Sequence, residues 1–91
     1  HVLRRAWLGA QEARLRGDEA ARAAAIAQAL TLYGDSAARQ SLQWRAWRAI
    51  LQLEQGDTAG AEATLAGLRA QGYRGAWLQR VCARLGQRPC L

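Results

Sequence analysis

Few side chains in this chain are of types that do chemistry: one histidine, two cysteines and seven carboxylates in 91 residues. His1 stands alone at the N-terminus, so no second imidazole is available for a nucleophile–base pair or a zinc site. Cys82 and Cys90 lie eight positions apart, without the two-residue spacing of a redox pair and without histidines beside them. Asp18, Asp35 and Asp57 each follow a glycine, the setting of a helix cap rather than of an acid or a metal ligand. There is no glycine-rich phosphate loop and no evident pair of carboxylates across a cleft. The expectation is a protein that is not an enzyme and uses neither cofactor nor metal.

What remains is arginine and tryptophan. Every cation is arginine, lysine and asparagine are absent, and the net charge is +6. With half the residues apolar and alanine the commonest of them, this composition reads first as the codon bias of a GC-rich genome. The charge itself permits attraction to an acidic protein, a nucleic acid or an anionic membrane. No apolar run approaches the ~18 residues of a membrane span. A signal peptide is not expected either, because Arg4 and Arg5 follow at once on Val2 and Leu3.

The elements that position these residues read as helices. Residues 41–55, SLQWRAWRAILQLEQ, put Leu42, Trp44, Ala46, Trp47, Ala49, Ile50, Leu51 and Leu53 over most of a helical surface. One polar stripe is left: Ser41, Arg45, Arg48, Gln52 and Gln55. A helix so apolar is expected at the centre, enclosed by others. Before it come an amphipathic helix over about 3–16 and an alanine-rich one over about 19–33, separated by Gly17-Asp18. Asp35 or Ser36 is expected to cap the central helix. After it, Gly56-Asp57 leads to a fourth helix, about 58–71, in which Gly60 and Gly67 mark either a close backbone approach or a weaker element. A last helix, about 76–85, ends at Gly86 and Pro89. Cys82 falls on its apolar face and is expected to be a small buried hydrophobe, which fits a cytoplasmic protein. The alternative is a Cys82–Cys90 disulfide in an oxidising compartment such as the periplasm.

The series contains an internal repeat. A tryptophan-bearing helix, a Gly-Asp turn and an alanine-rich helix occur twice, with turns 39 residues apart. Here the chain resembles the tetratricopeptide (TPR) family over nearly its whole length. Ile26 and Ala29 fall on the bulky and small positions of the family's second helix. Ala61 and Leu65 do so in the next unit, and Trp44, Trp47 and Leu51 fit the large first-helix positions if one residue is inserted before the turn. Arg22 stands where a small residue belongs, no proline closes either unit, and the spacing exceeds the usual ~34. A longer period is similar to the divergent repeats of bacterial transcriptional activators; secretion chaperones are similar in size. The resemblance implies an all-α, right-handed solenoid fragment within one domain, 1–91. Its two antiparallel hairpins cover about 3–34 and 36–72, with a capping helix over about 75–86.

It also implies a concave, non-catalytic surface lined by first helices. Arg4, Trp7, Gln11 and Arg14 from the first unit and Arg45, Arg48 and Gln52 from the second would bind a peptide or helix with acidic and polar groups. The alternative partner is a nucleic acid, drawn to Arg69, Arg74, Arg80, Arg84 and Arg88, after Glu62 the only charged side chains. Leu8 and Leu15 form an unassigned facet on the first helix, expected to meet an upstream repeat, a second copy in a homodimer or a bound protein. Because the first helical pattern begins almost at residue 1, the chain is expected to be part of a larger protein such as a regulator.

Overall fold

The computed structural model describes residues 2–33, 41–86 and 90, with only the backbone of Tyr33. Five helices make up the fold: α1 (Val2–Leu15), α2 (Glu19–Tyr33), α3 (Leu42–Gln55), α4 (Thr58–Ala70) and α5 (Ala76–Arg84). The described residues contain no strand. Two of the connections are built alike. Gly17 and Gly56 take the left-handed conformation, with φ of 73° and 84°, which only glycine adopts without steric cost. The amides of Asp18 and Asp57 then reach back to the carbonyls of Ala13 and Gln52, each at 2.9 Å. Each aspartate caps the helix that follows, Asp18 Oδ1 accepting from Ala21 N at 3.0 Å and Asp57 Oδ1 from Gly60 N at 2.9 Å. A reversal this tight makes each helix pair antiparallel.

The cap of α3 differs from the sequence expectation. Asp35 and Ser36 lie outside the described residues, and the helix starts later, with Ser41 Oγ accepting from Trp44 N at 3.1 Å. Serine directly before the apolar run satisfies an orphan donor at the point where burial begins.

Around α3 the core closes. It packs against each of the other four helices and buries Trp44, Ala46, Trp47, Ala49, Ile50 and Leu51. Leu3 and Ala10 from α1, Ile26 and Ala29 from α2, Leu65 and Leu68 from α4, and Leu78 and Cys82 from α5 complete the cluster. Each fully buried Leu or Ile contributes about 1.5–3 kcal/mol relative to an exposed one. In α1 and α2 the buried side chains are mostly alanine, so these two backbones approach closely.

The two glycines of α4 have different reasons. A methyl group on Gly60 would fall 2.2 Å from Asp57 Oδ2, so glycine there makes room for the cap. Gly67 faces open space and only weakens the helix.

Of the two readings of the cysteines, the structure shows the disulfide rather than a free buried thiol. Cys82 is fully buried, and it is bonded to Cys90 with the Cα atoms 5.9 Å apart. Arg69 Nη1 donates to the Cys90 carbonyl at 3.1 Å, holding the end of the chain against α4. Among the described residues no helix is long and apolar enough to cross a membrane.

Candidate protein-binding surface

Three tryptophans join the odd-numbered helices. Trp47 of α3 lies between Trp7 of α1 and Trp77 of α5, with ring centroids 5.6 and 4.6 Å apart and planes tilted by 53° and 32°. Tilted pairs of this kind contribute about 0.5–1.5 kcal/mol beyond their burial. Tyr73 extends the row: its hydroxyl accepts from Trp77 Nε1 at 3.0 Å and donates to Gln43 Oε1 at 3.2 Å. The row has a signal in the sequence. The dipeptide Ala-Trp recurs at 6–7, 46–47 and 76–77, but its two intervals are unequal and escape a search for one period.

One helical repeat beyond Trp47 on α3 sits Glu54, whose side chain is 2% exposed. Its neighbours supply the compensation a buried carboxylate requires. Gln11 Nε2 donates to Oε1 at 3.2 Å, the Arg14 guanidinium pairs with Oε2, and Arg22 Nη1 reaches Oε2 at 3.3 Å and the Glu54 carbonyl at 3.1 Å. Arg22 also grips Glu19 through its Nε, at 2.9 Å to both oxygens. That hydrogen bond lowers the Glu19 carboxyl below the ordinary glutamate value and raises the Arg22 guanidinium. Arg22, out of place for a small helix-contact position, is therefore the link from α2 to Glu54. With both oxygens occupied, Glu54 is a joint between helices.

The residues expected to bind a partner separate into two groups. On α1, Trp7 is half-buried in the tryptophan row, Gln11 and Arg14 are turned to Glu54, and Arg4 is exposed. On α3, Arg45, Arg48 and Gln52 instead face α4. They border an open cavity of about 320 Å³ whose other lining residues are Gly60, Ala63, Thr64 and Gly67. Gln52 is buried there and accepts from the Thr64 hydroxyl at 2.7 Å. One group meets Glu54 and the tryptophan row, the other the α3–α4 cavity.

In the C-terminal third, Arg69 pairs with Glu62 and Arg74 Nη1 donates to the Tyr73 carbonyl at 3.0 Å, while Arg80 and Arg84 are exposed. Arg88 lies outside the described residues. The facet of Leu8 and Leu15 is uncovered, at 41% and 88% exposure. No cluster of three or more metal-binding side chains occurs among the described residues. Comparison with protein-family models, with curated proteins and with solved structures gives no match.

Proposed function

We propose that the protein is a non-catalytic interaction module of TPR-like architecture, part of a larger bacterial protein such as a regulator, that binds an acidic peptide or helix. The observation that carries this reading is the cavity between α3 and α4, with Arg45 and Arg48 at its rim and Gly60, Ala63 and Gly67 among its lining. Small side chains let a peptide backbone approach closely, and arginines in the same lining suit carboxylate groups of a partner. The tryptophan row supports the reading in a second way, since it ties α1, α3 and α5 into a rigid support for that rim. A stand-alone secretion-chaperone role would use the same surface. The Cys82–Cys90 bond favours an oxidising compartment such as the periplasm over the cytoplasm.

The test is binding of a fluorescein-labelled acidic peptide to the full chain. Arg45→Glu with Arg48→Glu should abolish it and leave the circular dichroism unchanged; unaltered binding would remove this groove. A nucleic-acid reading keeps one observation in its favour, the exposure of Arg80 and Arg84. Absence of an electrophoretic shift at low salt would end it.

A further inference from the structure

The first and last helices are copies of one another. Residues 4–14, RRAWLGAQEAR, and residues 74–84, RGAWLQRVCAR, share Arg, Ala, Trp, Leu, Ala and Arg in register. Arg4 thus corresponds to Arg74, Trp7 to Trp77, Leu8 to Leu78, Ala10 to Arg80, Glu12 to Cys82 and Arg14 to Arg84. The burial of the pairs is complementary. Leu8 is 41% exposed while Leu78 is fully buried, and Glu12 is exposed while Cys82 is buried. On the other side the order inverts, with Ala10 buried and Arg80 exposed. Arg14 holds Glu54, whereas Arg84 has no ion pair among the described residues. So α5 turns to the core the side that α1 turns to solvent. It turns to solvent Arg80 and Arg84, where α1 uses Ala10 and Arg14 against the rest of the fold, while Trp7 and Trp77 both stay half-buried against Trp47 at the boundary of the two sides.

From this inversion we infer that the outward side of α5, carrying Arg80 and Arg84 beside the half-buried Trp77, is a docking surface for an acidic amphipathic helix of another protein. The helix would present to α5 what α3 presents to α1: an apolar or aromatic residue beside the tryptophan and, seven residues on, a glutamate for Arg84. Charge selects the occupant. Residues 63–91 contain no carboxylate side chain, and the outward side of α1 carries Arg4, Arg5 and Arg16 against the single carboxylate of Glu12, so a second copy meeting α5 through α1 would bring an excess of like charges together. Nucleic acid is the poorer fit, because one face of Trp77 is occupied by Trp47 and its indole N–H by Tyr73, so the ring is already engaged within the protein. The inference rests on the interaction-module reading but not on the Arg45–Arg48 groove.

The test uses the full chain and a labelled synthetic helix of about 15 residues, long enough to hold helical structure. The peptide has Trp and Glu spaced like Trp47 and Glu54 and further glutamates on its outer face. Fluorescence anisotropy should show binding that falls about tenfold or more with Arg84→Glu, or with the spaced glutamate of the peptide changed to Gln. A peptide carrying Arg at that glutamate position should recover affinity for Arg84→Glu. The paired change Arg45→Glu with Arg48→Glu should leave binding in place. The inference is overturned if the peptide does not bind, if Arg84→Glu and Arg80→Glu have no effect, or if a single-stranded oligonucleotide displaces the peptide at equal concentration. Loss of binding only in the Arg45/Arg48 variant overturns it while supporting the α3–α4 groove; the reverse pattern supports α5 and removes that groove.

Discussion

The two sides of α3 are fastened by different chemistry. Toward α1 and α2 the seam adds a buried polar joint to its apolar contacts: Glu54 takes donors from Gln11, Arg14 and Arg22. Toward α5 it is apolar, with Trp47 on Trp77, Leu78 and Cys82 fully buried, and a disulfide tying Cys82 to Cys90. A polar seam is directional, since three donors and one carboxylate match in only one register, and removal of one member leaves charge buried. An apolar seam tolerates small shifts but loses contact area and cavity volume when a large ring is removed. Position is thus fixed by geometry on one side of the molecule and by filling on the other.

Trp47 belongs to both sides, so Trp47→Ala should have the largest effect, a loss of about 3–5 kcal/mol by urea denaturation. A loss below ~1 kcal/mol would mean that the aromatic row contributes little. Next comes Glu54→Ala, expected to cost about 1–3 kcal/mol because it leaves the buried side of Arg22 with Glu19 as its one ion-pair partner among the described residues and removes the joint to Arg14. Pairing it with Arg22→Ala in a double-mutant cycle should return a strong coupling energy, and additivity would break the polar half of the comparison. Reduction of Cys82–Cys90 closes a smaller gap, about 2 kcal/mol for so short a loop. Hydrogen exchange should show that loss in α5 first, with α1 and α2 keeping their protection. Smallest and opposite in sign, Gly67→Ala should stabilise α4 by about 0.5–1 kcal/mol, measured as a raised urea midpoint.

Helix content and punctuation were legible because they depend on neighbours in sequence. The Gly17-Asp18 and Gly56-Asp57 turns, the bounds of α2 and the central place of α3 all follow from glycine, cap and apolar spacing. Pairing across helices was not legible in the same way. Arg14 and Gln11 read as outward groups because a charged side chain on an amphipathic helix is usually solvated, and only Glu54 on the apolar arc of α3 contradicts this. A carboxylate there demands a partner, and Arg22 at a small-residue position was the second half of the same anomaly. For Arg45, Arg48 and Gln52, the wheel gave a common stripe but could not say that α4 lies beneath it. The cysteine pair was ambiguous for a different reason: burial and bonding are compatible, and eight-residue spacing decides neither.

The meeting of all four other helices on α3 also has a kinetic meaning. Each hairpin can form locally and fast, but neither α1–α2 nor α5 gains a lasting core until α3 is in place. Collapse therefore waits on one segment of the chain. Changes on the buried arc of α3 are expected to slow folding, and changes on the outward side of α5 to alter the rate of unfolding, as stopped-flow measurements would show.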